Sequence, residues 1–140
     1  MIRIETDIIQ LQVRKSVLEG VIDEVATTST MVHLYKKDLL YLYKESNIQR
    51  CKISLSNNNG VGRMEQIFHQ LSDNPSVDLS QYNKVILLFK TSRLHPIKMS
   101  EMSNVKDIIG CFPNEVSVIW GLGIDDSLDK SLSLLMICSK

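Results

Sequence analysis

The side chains best suited to chemistry in this chain are His33, His69 and His95, Cys51, Cys111 and Cys138, and the carboxylates Asp125, Asp126 and Asp129. Their spacing assigns them little. No two histidines stand at a metal-ligand interval, and no cysteine lies near enough to complete a zinc pattern. The aspartates do not follow the spacing of a calcium loop; after Gly123 they suit a turn held by side-chain-to-backbone hydrogen bonds. The run N-N-N-G-V-G-R at positions 57–63 stands between a strand-like and a helix-like segment, a place where phosphates are often cradled. It lacks both the Gly-Lys-Ser/Thr ending of a P-loop and the full glycine spacing of a dinucleotide turn, so it reads as an ordinary turn. No serine or cysteine occupies a nucleophile elbow. The sequence therefore predicts no catalytic residue, no metal and no cofactor.

Size and charge narrow the classes further. A chain of 140 residues has room for one real core. Sixteen basic and sixteen acidic side chains cancel. A neutral chain has no general attraction for nucleic acid or an anionic membrane, and neither is expected as a partner. Arg3 and Glu5 interrupt the N-terminus before an apolar run can build, so a signal peptide is not expected. The odd cysteine count, with no C-x-x-C pair, suits reduced, buried thiols in a cytoplasmic protein.

The elements that would position these residues follow from periodicity. Residues 7–28 read as one long helix, with Ile8, Leu11, Leu18, Ile22 and Val25 on one stripe. Ile9, Val13, Val17 and Val21 form a second apolar stripe beside it, wider than a surface helix needs. Gly20 in mid-helix suggests close packing. After a loop, Asp38 is the expected N-cap of a short helix with Leu39, Leu42 and Tyr43 on one side. Lys36, Lys37 and Lys44 form a solvated fringe. Residues 49–56 alternate as a half-buried strand whose charges suggest an edge. Met64, Ile67, Phe68 and Leu71 mark a helix. Residues 84–91, K-V-I-L-L-F-K-T, form a continuous apolar strand. Ser100 is expected to cap a helix that ends at Gly110.

The closing stretch organises the rest. Val116, Val118 and Trp120 share a face at period two. After G-L-G-I-D-D-S-L-D, Leu132, Leu134 and Met136 do the same, with Leu135 and Ile137 loading the opposite face. Helix, helix, strand, helix, strand, helix, strand, strand predicts a two-layer α/β sandwich with a four-stranded mixed sheet and covering helices, preceded by an N-terminal helix.

V-I-W-G-L-G-I-D-D-S-L-D-K-S-L-S-L-L-M-I-C-S resembles the end of the C-terminal domain of FtsZ, the tubulin-like division GTPase. Met99-Ser100-Glu101-Met102 resembles the family's "L-D-E-F" at the start of its last helix. N-P-S-V-D-L-S-Q-Y-N-K-V-I-L-L-F resembles the segment that leads into the preceding strand. Val17-Leu18-Glu19-Gly20 with V-I-D-E-V-A resembles the end of the helix joining the family's two domains. The resemblance divides the chain into an N-terminal helix over residues 1–30 and an FtsZ C-terminal-like domain over 31–140. It finds no counterpart of the nucleotide-binding half. Where the family has its synergy loop, "N-x-D-F-A-D", this chain has His33, Leu34, Tyr35, Lys36, Lys37 and Asp38. Only Asp38 keeps a carboxylate.

The resemblance thus implies a non-catalytic interaction module that binds or caps a tubulin-like division filament. Its contacts are expected at His33, Tyr35, Lys36, Lys37 and Asp38, and at the stripe Ile9, Val13, Val17 and Val21. The partner would be an FtsZ-type filament subunit or a second copy of the chain. The alternatives are an accessory subunit of an unrelated complex and a small-molecule enzyme with a site at a subunit interface.

Overall fold

A computed structural model describes residues 2–8, 14–45, 47–55, 62–73, 82–110, 112 and 114–140. In chain order its elements are β1 (Ile2–Ile8), α1 (Arg14–Thr28), β2 (Ser29–Val32) and α2 (Lys36–Leu39), which runs on as a 3-10 turn (Leu40–Lys44). Then come β3 (Ile48–Leu55), α3 (Arg63–Asp73), β4 (Lys84–Thr91), α4 (Met99–Gly110), β5 (Ser117–Ile124) and β6 (Leu132–Ser139), with a 3-10 turn at Asp126–Leu128 before β6.

The strands lie in one mixed sheet of order β1-β3-β6-β4-β5-β2. Among the described strands only β4 and β5 run parallel; α4 lies in the crossover between them. The four expected strands, β3 to β6, are all present, and β1 and β2 extend the sheet to six. β6 is buried along its whole length at the centre, and its apolar residues alternate as the sequence requires. Leu132, Leu134, Met136 and Cys138 face α3 and α4, while Leu135 and Ile137 face α1 and α2. In β4, Val85, Leu87 and Phe89 join the first core, and Ile86 and Leu88 the second. Helices therefore cover both faces: the N-terminal helix and α2 add a third layer to the expected two-layer sandwich.

Several expectations need correction. The helix does not start at Asp7. Asp7 and Ile8 belong to β1, whose residues alternate I-R-I-E-T-D-I at period two and pair along β3, from Ile2 with Leu55 to Ile8 with Gln49. β3 is consequently an inner strand, flanked by β1 and β6, not an edge. In α1, Leu18, Val21, Ile22, Val25 and Ala26 are buried, one stripe at helical spacing. Gly20 is exposed, with open space where a side chain would go, so close packing does not explain it. The side chains of Thr27 and Thr28 bond back to the carbonyls of Asp23 and Glu24 and close the last turn.

The layer of α3 and α4 is tied down by a buried arginine. Arg63 donates from Nε to Glu101 Oε2 at 2.7 Å and from Nη2 to Oε1 at 3.0 Å. Its remaining donors reach the carbonyls of Pro96, Lys130 and Ser131. One side chain thus joins the start of α3, the start of α4 and the turn before β6.

Candidate interaction surface

The segment from His33 to Asp38 is placed by two glycines of β5. A side chain at Gly121 would meet the Val32 carbonyl at 2.7 Å and the Leu34 side chain at 2.9 Å. One at Gly123 would meet the Thr28 carbonyl at 2.5 Å. Only glycine lets the end of α1, β2 and the following loop lie this close to the strand. The sequence pattern treats G-L-G as a connection; here it is strand, because β5 pairs with β4 through Ile124. Lys90 Nζ, in β4, also holds the C-terminal part of α1 through Glu24 at 2.9 Å.

On this base the helical segment over residues 36–44, α2 with its 3-10 turn, is anchored from below. Leu34, Leu39 and Leu42 are buried in the core shared with α1. The N-cap of α2 is Tyr35, in an extended conformation and without a side-chain cap; Asp38, expected there, lies in the first turn. The Asp38 N–H donates to the Tyr35 carbonyl at 3.0 Å. Tyr43, expected inward with Leu39 and Leu42, faces outward. The change to 3-10 geometry at Leu40 turns it away, because that geometry advances each residue further round the axis.

The outer side is polar and aromatic. His33, Tyr35, Lys36, Lys37 and Asp38 are all exposed. His33 and Tyr35 meet edge to face, with ring centroids 4.3 Å apart. Lys37 Nζ lies 5.7 Å from the centre of the Tyr35 ring. Lys36 pairs with Asp23 at 2.7 Å, and that carboxylate, through its hydrogen bond and its charge, holds the ammonium above the usual lysine range.

Beside this segment, at the start of β4 and β5, is a cleft of about 360 Å³. Leu34, Tyr41, Val85 and Ile119 supply its apolar wall; Asp38, Lys84 and Ser117 supply polar groups. Lys84 is bonded to Glu45 at 2.8 Å and sits 4.9 Å from the centre of the Tyr41 ring. Burial pushes the Tyr41 phenol up to about 12, so it stays neutral and acts as a hydrogen-bonding group rather than an acid. Sequence reasoning missed Tyr41, Lys84 and Ile119; the cleft forms only when α2 folds over the strand ends.

The other expected contact surface does not stand as drawn. Val21 is buried in the chain's own core, and Val17 is half-buried against it. Ile9 and Val13 lie outside the described residues. Cys51 and Cys138 are buried thiols, pushed by burial up to about 11 and about 12, as inert core cysteines should be. Asp125 caps the turn before β6, its carboxylate accepting from the Ser127 N–H at 3.1 Å. No group of three metal-ligating side chains comes together among the described residues. No described helix is long and apolar enough to cross a membrane.

No protein-family model matches the chain, nor does the sequence of any curated protein. Solved structures do. An FtsZ dimer from M. jannaschii superposes with a TM-score of 0.65 at 13% identity, covering 94% of this chain and 40% of that one. A GTPγS-form protofilament of TubZ from Bacillus thuringiensis serovar israelensis gives 0.56 at 11% identity, covering 91% of this chain and 35% of that one. The four-stranded TubZ filament gives 0.53 at 12% identity, over 89% of this chain and 34% of that one. The chain thus spans well under half the length of these proteins, and identities this low establish the fold alone. Mixed sheet, covering helices and near-complete superposition agree: the chain has the fold of an FtsZ/tubulin C-terminal-like domain.

Proposed function

We propose that the chain is a non-catalytic, filament-related interaction module that docks on a tubulin-like subunit through the segment from His33 to Asp38. One observation carries the reading. The segment is clamped from below by Leu34 and Leu39 and by the close approach at Gly121, while Tyr35, Lys36, Lys37 and Asp38 all face solvent. A backbone held this firmly presents its side chains with little ordering cost on binding. The similar folds belong to assembled proteins, a dimer, a protofilament and a four-stranded filament by description. Catalysis is disfavoured because Asp38 is the sole carboxylate of the segment and stands beside two lysines.

Co-sedimentation with preformed FtsZ filaments tests the reading. The chain should pellet with the filaments and remain in solution without them. Reversing both charges, Lys36→Glu with Lys37→Glu, should slow association more than it speeds dissociation. A chain that stays in the supernatant, or kinetics untouched by the double reversal, would reject docking through this segment.

A further inference from the structure

Among the described residues five large apolar side chains are exposed: Tyr35, Leu40, Tyr43, Leu94 and Met99. Three of them fall within nine residues of one another, Tyr35 just before α2 and Leu40 and Tyr43 in its 3-10 turn, which makes a patch rather than a scatter. Leu40 and Tyr43 stand three apart, the interval at which 3-10 side chains align, and Lys36, Lys37 and Lys44 of the same segment are exposed. The buried Leu39 and Leu42 hold the opposite side. The carboxylates near the patch are Asp23, already paired with Lys36, Glu45, bonded to Lys84, and Asp38, at the rim of the cleft.

We infer that this segment and the cleft beside it take an acidic polypeptide segment carrying a bulky apolar side chain. The inference rests on the reading of residues 33–38 as a docking surface and names the chemistry of what docks. The apolar side chain enters between Leu34, Tyr41 and Ile119, in a cleft whose 360 Å³ is within the size of a binding pocket. Flanking carboxylates meet Lys37 and Lys44, and a backbone N–H of the segment donates to Asp38. An anionic membrane would also favour lysines beside Tyr35, Leu40 and Tyr43. A flat surface could not fill the cleft, however, and its phosphates would meet the Asp38 carboxylate. Charge complementarity on the outer side and depth beside it both favour a polypeptide.

The probe is an acetylated, amidated peptide Glu-Asp-Phe-Leu-Asp-Glu, titrated into the labelled protein by NMR. A counterpart with lysine in place of every acid is titrated in parallel. The acidic peptide should shift the resonances of Leu34, Tyr41, Val85 and Ile119, with an affinity that falls as salt is raised. It should bind about tenfold more weakly to the variant carrying Lys37→Glu and Lys44→Glu. Lys37→Gln with Lys44→Gln, which removes charge without reversing it, should give a smaller loss. The lysine peptide should shift nothing in the cleft. Absence of shifts with the acidic peptide, or equal shifts with both peptides, overturns the inference. So does binding to phosphatidylserine vesicles without peptide binding, which would assign the patch to a lipid surface. If the chain pellets with filaments but ignores the peptide, only the acidic-segment chemistry falls. If it binds the peptide but not the filaments, only the filament partner falls.

Discussion

Two charged regions of this molecule have been treated oppositely by the fold. Around Arg63 every donor is used: two on the Glu101 carboxylate and the rest on three backbone carbonyls, in a side chain only 2% exposed. On the helical segment over residues 36–44, Lys37 and Lys44 are exposed, as are Tyr35, Leu40 and Tyr43. Burying a charge is costly unless pairing and hydrogen bonds offset it, so a saturated buried ion pair marks a structural joint. Charges and aromatic rings left outside on a well-anchored element contribute little to folding and suit recognition instead. Pocket shape alone would not separate the two regions, since a second cleft of about 290 Å³ adjoins Arg63 and Glu101. The difference lies in burial: Arg63 and Glu101 are saturated inside, whereas Lys37 and Lys44 are exposed.

The contrast is broken most forcefully at Arg63. Replacing it, Arg63→Met, strands the Glu101 carboxylate among buried neighbours and should cost about 3–5 kcal/mol of stability, read as a lowered urea midpoint with unchanged slope. Adding Glu101→Leu should recover most of that loss, because a matched apolar pair no longer leaves a charge unpaired. A loss below about 0.5 kcal/mol, the level of an ordinary surface substitution, would mean that Arg63 is not a joint.

Acid should loosen the same joint more gently. Burial works to raise the Glu101 pKa, but the Arg63 hydrogen bonds, the bond from the Lys98 N–H and the nearby positive charges together hold it below the ordinary carboxylate value. A group depressed in the folded state adds stability above its unfolded pKa and loses it as the pH falls through the folded value. Urea midpoints taken from about pH 6 down to about pH 3 should therefore fall more steeply for the native chain than for Glu101→Gln. Asp125, held low chiefly by its hydrogen bond to Ser127, contributes in the same direction, so Asp125→Asn is the control. Identical pH profiles for the native chain and Glu101→Gln would show that the ion pair does not report on folding.

The sequence made the central strands and the α3 and α4 layer legible because their side chains carry one period each. Leu134 and Leu135 point to opposite cores as alternation demands, and Lys84–Thr91 is one strand with the bounds its apolar run suggests. What it hid depends on contacts distant in sequence. β1 can be told from the start of a helix only by its pairing with β3 across more than forty residues. Gly121 and Gly123 look like turn residues until β2 and Leu34 are laid against them. The role of Arg63 requires Glu101, Pro96 and Ser131 to come together. Of the candidate surface, the exposed set His33, Tyr35, Lys36, Lys37 and Asp38 was visible as a motif. Leu40 and Tyr43 were not, because a helical wheel cannot anticipate the change to 3-10 geometry.

The smallest stability effect is expected where the contrast is most local, between neighbours in one helical segment. Leu39 is 1% exposed and Leu40 is 51% exposed. Truncating the first, Leu39→Ala, removes a side chain from the core shared by α1 and the sheet and should cost about 2–5 kcal/mol. The double change Leu40→Ser with Tyr43→Ser removes side chains that are 51% and 38% exposed, so part of their apolar surface already lies in water. It should cost about 1 kcal/mol, well below the core truncation, while reducing co-sedimentation with filaments, since the outward patch is what the partner would cover. The two readouts must separate for the comparison to hold. If the double variant is destabilised by more than about 2 kcal/mol, as a core truncation is, the outer side of residues 36–44 serves the fold and is no free docking surface.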